Sequence, residues 1–268
     1  VNMYTEKELR KILDNWDIED GLPIDNLNGS DGSNVYRRVW TLGNNYILKC
    51  CKLEKLMKNL KISKALHHQG FASSLPVLTK TGSEYVEYKE LFVLTRGLKG
   101  NPLSKSDRFG HNRMKFAEQY GKSIAKLHTT LKNIQKDIFL DEINLYKNVI
   151  EWALPSLKRQ NIQWGMGLDD DFFYDFIDNF GILYDKLPKQ LIHRDPNPGN
   201  ILFDNGVVTG FIDFDLSEVN IRLWDVCYCA TGILSEASDE AYEKWLEKLG
   251  GILKGYDLEA GLTPEEKQ

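Results

Sequence analysis

The spacing of hydrophobic residues along the first part of the chain alternates between helical and strand-like. In residues 5–16 the apolar residues recur every three or four positions, which predicts a helix with one buried face. Residues 52–69 repeat this spacing beneath a lysine-rich outer face and predict a second helix. Short apolar runs bounded by turn-forming residues predict strands at residues 35–40, 46–50, 76–79, 85–88 and 91–95.

The pattern changes near residue 97. Residues 96–102 contain two glycines and end in proline, so they form the candidate linker between two parts of the chain. Beyond the linker the spacing is mostly helical, and helices are predicted at residues 106–130, 140–186, 222–234 and 238–254. The sequence therefore predicts a mixed first part and a mainly helical second part.

A hairpin interrupts the helical part. Residues 201–203 and 207–212 are apolar runs on either side of Asp204-Asn205-Gly206, which is a strong signal for a two-residue turn. Pairing of the two runs brings Asn200 and Asp213 to the same end of neighbouring strands.

Asp195 completes a set of residues that is suited to phosphoryl transfer. It ends the triplet His193-Arg194-Asp195 and stands five positions before Asn200. Transfer of a phosphoryl group needs a base for the attacking hydroxyl and oxygen ligands for magnesium. We therefore predict Asp195 as the catalytic base, and Asn200 and Asp213 as the Mg²⁺ ligands.

The composition bears on partners and location. The chain has 268 residues, of which 42% are hydrophobic and 27% charged, as in an ordinary soluble globular protein. A net charge of −5 argues against nucleic acid as the main partner. The sequence has no apolar run of about eighteen residues and no signal pattern at its start, so we expect a cytoplasmic protein without a membrane partner.

Several motifs resemble those of a known fold. His193-Arg194-Asp195 with Asn200, followed by Asp213-Phe214, resembles the catalytic loop and metal-binding triplet of the protein-kinase-like fold. Residues 46–49 resemble the strand that carries its phosphate-anchoring lysine. Pro198-Gly199-Asn200-Ile201-Leu202 further resembles the aminoglycoside phosphotransferase and choline kinase-like family, a group that includes homoserine kinases.

This resemblance covers most of the chain, residues 24–230, and has consequences for fold and activity. It implies an α+β, two-lobed protein-kinase-like fold. The small antiparallel-sheet N-lobe would span residues 1–97, and the larger, mainly helical C-lobe would span residues 98–268. It also implies transfer of the γ-phosphate of ATP or GTP to a hydroxyl of a small molecule, with Mg²⁺ as cofactor.

The resemblance also implies where the nucleotide binds. Lys49 would pair with the α- and β-phosphates, a small-residue loop would cover them, and apolar residues would enclose the adenine ring. The implied nucleotide-binding residues are Ser30, Ser33, Asn34, Ile47, Lys49, Thr95, Leu202 and Ile212. The apolar members of this set are equally expected in an ordinary core, and a glycine- and serine-rich loop often only turns the chain.

The sequence departs from the family pattern in two places. Arg194 stands where many members have glycine, and Asn197 stands where they have histidine. The helix after Lys49 should offer a glutamate to that lysine, and its only glutamate is Glu54, near the helix start. Asp215 remains open, because it suits both a second role at the metal and a contact with a cationic substrate.

Asp225 and His128 are predicted to have structural rather than catalytic roles. Asp225 is interpreted as a buried support of the catalytic loop rather than a reactant, and His128 as a buried, hydrogen-bonded histidine.

The short interval between Asp213 and Asp225 leaves little room for a peptide-docking segment, which favours a small substrate over a protein.

The acceptor stays undetermined by the sequence. The acidic, aromatic residues 167–188 favour a cationic or amine-bearing compound, although a solvated acidic helix explains them too. Aminoglycosides, amino alcohols, homoserine-like compounds and sugars all remain candidates. The main alternative is a nucleotide-binding kinase-like module without activity, suggested by the missing glutamate in the middle of the helix; a protein kinase is the less favoured one.

Overall fold

Strands are concentrated in the first hundred residues, and helices dominate the rest. The computed structural model describes residues 4–27, 38–138, 140, 142–238 and 242–268. The strands are β1 (Ile24–Asn26), β2 (Val39–Leu42), β3 (Tyr46–Cys51), β4 (Val86–Glu87), β5 (Leu91–Arg96), β6 (Asn101–Pro102), β7 (Lys189–Ile192), β8 (Ile201–Asp204), β9 (Val207–Phe211) and β10 (Glu218–Ile221). The helices are α1 (Glu6–Leu13), α2 (Leu53–His68), α3 (Lys105–Phe109), α4 (Arg113–Ile134), α5 (Leu145–Asn148), α6 (Leu154–Trp164), α7 (Asp170–Asp175), α8 (Gly181–Tyr184), α9 (Leu223–Leu234) and α10 (Tyr242–Ala260).

The first sheet is antiparallel and has the strand order β1-β2-β3-β5-β4. Side chains alternate between its two faces. Leu48 and Cys50 of β3 lie in a buried cluster with residues of α1, including Leu9 and Ile12. Lys49 is on the opposite face, directly across from Val93 of β5, which packs against α2. The strand period therefore presents Lys49 on the face that α2 covers.

A second sheet has the order β6-β8-β9 and contains the predicted hairpin. Its turn residues Asn205 and Gly206 both have positive φ angles, 50° and 79°. Positive φ at both positions matches the twist of the flanking strands, which is why Asn-Gly is favoured there. The hairpin predicted from the sequence is confirmed.

The chain divides into two compact units by its internal contacts. Unit 1 comprises Val1–Pro102 and Asn200–Leu216, and unit 2 comprises Leu103–Gly199 and Ser217–Gln268. These limits differ from the predicted lobes, 1–97 and 98–268. The hairpin lies in unit 1 because β8 pairs with β6, a pairing that sequence order does not reveal.

Unit 2 is built around the close packing of α4 on α10. Glycines allow this approach: a Cβ added to Gly121 of α4 would lie 1.9 Å from the carbonyl oxygen of Ile252. On α10, a Cβ added to Gly255 would lie 2.3 Å from the carbonyl oxygen of Glu118. At these two glycines the backbones of the helices therefore come into direct contact.

The structure corrects two expected elements. The helix predicted at residues 106–130 is two helices, α3 and α4, and Ser104 caps the first. Gly110 ends α3 with an extended backbone. The strand predicted at residues 76–79 is reduced to a single bridge between Pro76 and Thr95.

Among the described helices, none is long and apolar enough to cross a membrane.

Candidate active site

Lys49 forms the centre of an ion-pair cluster in unit 1. Its Nζ lies 2.5 Å from Oδ1 of Asp213 and 3.4 Å from Oδ2 of Asp215. Burial opposes the charge of Lys49, but the two carboxylates outweigh it and raise the pKa of Lys49 above its ordinary value. The lysine is therefore held as a cation beside two acids.

The end of the β8–β9 hairpin positions Asn200 and Asp213. The amide of Ile212 donates a hydrogen bond to the carbonyl oxygen of Asn200 at 3.0 Å, which continues the pairing beyond the strands. Asp213 follows with a positive φ of 71°. Non-glycine residues with this backbone conformation are uncommon and concentrate at functional sites. The hairpin thus brings the two predicted metal ligands to one end of unit 1.

Helix α2 holds the turn that contains Asp213 and Asp215. Oδ1 of Asn59 accepts a hydrogen bond from the amide of Phe214 at 3.0 Å. Lys55 places its Nζ 3.7 Å from Oδ2 of Asp215. Glu54, the expected partner of the lysine on β3, is exposed in the first turn of the helix. Helix α2 therefore contacts the turn through the side-chain amide of Asn59 and the ammonium group of Lys55. Neither is the glutamate that was expected, although Asn59 lies in the middle of the predicted helix.

The predicted adenine-binding positions lie in unit 1. Ile47 and Thr95 face each other across β3 and β5, and Ile47 shares a sheet face with Lys49. Leu202 is buried on β8 and Ile212 is partly buried after β9. Their contact with a nucleotide stays a prediction. The remaining predicted phosphate-covering residues, Ser30, Ser33 and Asn34, lie outside the described residues.

Unit 2 holds the predicted base on the loop that follows β7. Asp225 of α9 organises this loop: Oδ2 accepts a hydrogen bond from the amide of His193 at 2.8 Å, and Oδ1 accepts one from the amide of Arg194 at 2.9 Å. Oδ2 also lies 2.9 Å from Nε2 of His128, whose Nδ1 is 2.8 Å from the hydroxyl of Tyr256. Asp225 and His128 are both fully enclosed, as expected for support of the loop.

Arg194 occupies its position in a strained conformation. Its φ is 76°, in the region that glycine adopts freely, which explains why glycine suits the equivalent place in related sequences. The side chain is fixed on two sides: Nε lies 2.8 Å from Oε1 of Glu218, and the guanidinium carbon lies 3.9 Å from the ring centre of Trp224. Trp224 also donates its Nε1–H to the carbonyl oxygen of Arg194 at 3.1 Å.

Asn197 contacts the predicted base directly. Its Nδ2 donates a hydrogen bond to Oδ1 of Asp195 at 2.8 Å, and its own Oδ1 accepts one from the amide of Gly199 at 2.8 Å. Burial, followed by the charge and hydrogen bonding of Asp195, raises the pKa of Tyr228 on α9. The Asp195 carboxylate therefore has an amide and a phenol beside it.

The acidic residues 167–188 include three consecutive aspartates, Asp169, Asp170 and Asp171, at the N-terminus of α7. Asp169 caps α7 by accepting a hydrogen bond from the amide of Phe172 at 2.9 Å, and Asp170 lies 3.9 Å from Nζ of Lys158. The capping role accounts for the first of the three aspartates. The other two, Asp170 and Asp171, are exposed in the first turn, where the helix dipole favours a negative charge.

The chain is similar in sequence to a known family of phosphotransferases. The model of the phosphotransferase enzyme family matches residues 26–262. The homoserine kinase of Phenylobacterium zucineum (strain HLK1) is 26% identical, with 98% of this chain and 79% of that protein covered. The homoserine kinase of Neisseria meningitidis serogroup B (strain ATCC BAA-335 / MC58) is 24% identical, with 100% of this chain and 85% of that protein covered.

Solved structures show the same fold at low sequence identity. Amicoumacin kinase hAmiN, in complex with AMP-PNP, Ca²⁺ and Ami, has a TM-score of 0.66 at 17% identity, with 97% of this chain and 79% of that one covered. An aminoglycoside phosphotransferase from Alicyclobacillus acidocaldarius has a TM-score of 0.64 at 16% identity, with 96% and 79% covered. The predicted α+β, protein-kinase-like fold is confirmed by these likenesses.

Proposed function

The chain belongs to the phosphotransferase enzyme family, and from this premise we propose that it phosphorylates the hydroxyl of homoserine or a closely related amino alcohol. Membership, together with the homoserine kinase relatives, makes the chain a small-molecule kinase that moves a phosphate from a nucleotide to a hydroxyl acceptor. The choice of acceptor is supported by the similarity to homoserine kinases along nearly the whole chain.

The Lys49–Asp213 ion pair is the observation that best supports phosphoryl transfer. A cation for the phosphates lies 2.5 Å from a carboxylate that follows a strand end, in a position suited to a metal ligand. With nucleotide bound, Lys49 would pair with phosphate oxygens and help to neutralise the charge that develops on them. ATP is the proposed nucleotide, and GTP is its alternative.

The donor set at the hairpin end suits magnesium. Asn200 offers an amide oxygen and Asp213 a carboxylate, which are hard oxygen donors. Mg²⁺ is usually held by one or two carboxylates together with substrate phosphates and water, so a small protein donor set is sufficient. When bound, the ion would supply charge neutralisation to the β- and γ-phosphates.

Asp195 is the proposed base. Its carboxylate would accept a hydrogen bond from the acceptor hydroxyl and take the proton as that oxygen attacks the γ-phosphorus. The bond from this phosphorus to the bridging oxygen breaks, and the nucleoside diphosphate leaves. Asn197 would orient this carboxylate through its hydrogen bond to Oδ1.

A nucleotide-dependent transfer assay tests this function. The unaltered chain is incubated with ATP or GTP, Mg²⁺ and one acceptor at a time: homoserine, choline, an aminoglycoside or a neutral sugar. Phosphorus NMR identifies the phosphorylated product. We expect phosphohomoserine, and we expect Asp195→Asn to lower kcat by orders of magnitude while the variant still binds nucleotide.

Two results would contradict the proposal in different ways. Transfer to a sugar or an aminoglycoside with none to homoserine would refute the acceptor and leave the kinase activity intact. Full turnover by Asp195→Asn would refute the assignment of the base. An inactive nucleotide-binding module was considered because helix α2 has no glutamate in its middle. This argument is weaker now, because Asp215 offers Lys49 another carboxylate at 3.4 Å.

A further inference from the structure

Lys49 has two acidic neighbours, and they differ in exposure. The Asp213 side chain is 37% exposed, whereas that of Asp215 is 12% exposed. Both carboxylates lie within ion-pair distance of Nζ of Lys49. Asp213 therefore remains the more accessible of the two to a ligand from solvent, and Asp215 is the more enclosed.

The two carboxylates would separate in role once a metal and a nucleotide bind. Asp213 is the proposed metal ligand, and a carboxylate that binds a divalent cation has less negative charge to offer a lysine. Lys49 carries three N–H donors that need partners. Phosphate oxygens would take some of them, and a second carboxylate is needed to hold the ammonium group in place.

Helix α2 does not supply that carboxylate. Its sequence contains a single acidic residue, Glu54, which is exposed in the first turn. The ion pairs of Lys49 are made instead with Asp213 and Asp215. The helix contributes Asn59 and Lys55 to the same cluster, and both act on the turn rather than on Lys49.

Asp215 is held firmly enough to serve as an anchor. It lies in the 3₁₀ turn Phe214–Leu216, and the first amide of this turn donates to Oδ1 of Asn59. Lys55 approaches the same carboxylate oxygen of Asp215 that Lys49 does, at 3.7 Å and 3.4 Å. The turn, the helix amide and a second cation together fix the direction of this carboxylate toward Lys49.

We propose that Asp215 is the positioning residue that anchors Lys49 when nucleotide is bound, in place of a glutamate on helix α2. This inference rests on the proposed function, because it assigns Lys49 to the phosphates. It predicts that Asp215 governs nucleotide affinity through Lys49 and takes no part in binding the metal.

The test measures ADP binding by calorimetry with and without Mg²⁺ for three forms of the full chain. In Asp215→Asn the neutral amide no longer anchors the ammonium group, so ADP affinity at saturating Mg²⁺, when the metal engages Asp213, falls about tenfold. In EDTA the loss is smaller, because Asp213 still pairs with Lys49. In Glu54→Gln, the matched control, the affinity is unchanged. Raising the Mg²⁺ concentration further does not restore the affinity of Asp215→Asn, as it would for a lost metal ligand.

A double-variant cycle keeps the test specific to the ion pair. Lys49→Met removes the cation, and adding Asp215→Asn to it should weaken ADP binding no further, because the two residues act as one unit. Asp215→Glu, which keeps the charge, should retain part of the affinity. Melting temperatures of all variants verify that each one is folded.

Different outcomes overturn different claims. Recovery of the full ADP affinity of Asp215→Asn at high Mg²⁺ concentration would make Asp215 a metal ligand and refute the anchoring role. Loss of affinity in Glu54→Gln would return that role to the helix. If the unaltered chain bound no nucleotide under any condition, the proposed function would fail first and the role of Asp215 with it.

Discussion

Asn197 holds the carboxylate of Asp195 by donating its side-chain amide to Oδ1 at 2.8 Å. The same side chain accepts a hydrogen bond from the amide of Gly199 at 2.8 Å, so it connects the predicted base to the turn that follows it. Gly232 of α9 lies against this turn, since a Cβ there would be 2.7 Å from Cδ of Pro198. The two hydrogen bonds of Asn197, which we call the clamp, therefore orient the Asp195 carboxylate. The turn that carries Asn197 is itself packed against α9.

Replacing Asn197 by aspartate tests this clamp with almost no change in shape. The carboxylate keeps the acceptor for Gly199 but puts a negative charge in place of the donor to Asp195. We expect kcat to fall about 100-fold, because misorientation of a reacting group costs that much, while nucleotide affinity is retained. Steady-state kinetics with the acceptor identified by the transfer assay measure the effect.

The control for this prediction is the same exchange at Asn205. Its Nδ2 also contacts an aspartate, Asp204, at 3.2 Å, but the pair lies at the tip of the hairpin. Asn205→Asp should leave kcat unchanged. Equal activity of Asn197→Asp and the unaltered chain would show that the clamp has no part in catalysis.

Arg194 provides a stability prediction, because its backbone is strained and its side chain is well fixed. Arg194→Gly relieves the positive φ of 76° but loses the contacts to Glu218 and Trp224. Arg194→Ala loses the same contacts and keeps the strain. We expect the alanine variant to be less stable than the glycine variant by about 1 kcal/mol. Denaturant unfolding of the two variants side by side would contradict this if alanine proved the more stable.

The contact between α4 and α10 predicts opposite effects for two glycines. In Gly121→Ala the new methyl group would overlap the carbonyl oxygen of Ile252, so the helices must separate. We expect the free energy of unfolding to fall by about 3 kcal/mol. Gly250→Ala meets no atom within 4 Å and should raise the free energy of unfolding by about 0.5–1 kcal/mol through helix propensity. Thermal unfolding distinguishes the two, and similar melting temperatures would refute the close packing.

Lys248 of α10 predicts a dependence of stability on pH. Its side chain is buried, its Nζ lies 3.3 Å from the ring centre of Phe109, and it has no hydrogen-bond partner in the described structure. Burial first, and then the positive charges of Arg108 and Arg113, lower the pKa of Lys248 to about 8.

Because this pKa is lower in the folded chain, the unfolded chain binds more protons between the two pKa values. Stability therefore rises as pH increases from about 8 toward about 10.4. Lys248→Met removes this dependence and should raise the free energy of unfolding at neutral pH by about 1 kcal/mol. The exposed Lys126 of α4 gives the control, since Lys126→Met should change stability little at any pH. An equal gain from Lys248→Met above and below this range would contradict the explanation.

Elements whose signals are local could be predicted from the sequence. The hairpin at residues 201–212 was predicted because Asn-Gly fits only a few turns, and its pairing then fixed where Asn200 and Asp213 meet. His128 and Asp225, both interpreted as structural, are buried and lie within hydrogen-bond distance of each other. The fold class followed from motifs in the right order along the chain.

The contacts that were missed depend on residues far apart in the sequence. Asp215 is 166 positions from Lys49, and no spacing rule connects a strand lysine to that turn. The partner predicted on helix α2 is not there, and Asn59 of that helix binds the backbone of Phe214 instead. The contacts of Arg194 with Glu218 and Trp224 likewise join residues that come together only in the folded unit.

The return of residues 200–216 to unit 1 has a consequence for synthesis on the ribosome. Lys49 is synthesised before unit 2, whereas its partners Asp213 and Asp215 follow the first segment of that unit. Translation of this segment, roughly 100 residues, takes roughly 5–20 s at ordinary rates. Until then β6 lacks β8, the strand with which it pairs in the second sheet. A nascent chain that ends within unit 2 would therefore lack the ion pairs of Lys49 with Asp213 and Asp215, which can form only after the hairpin has been synthesised.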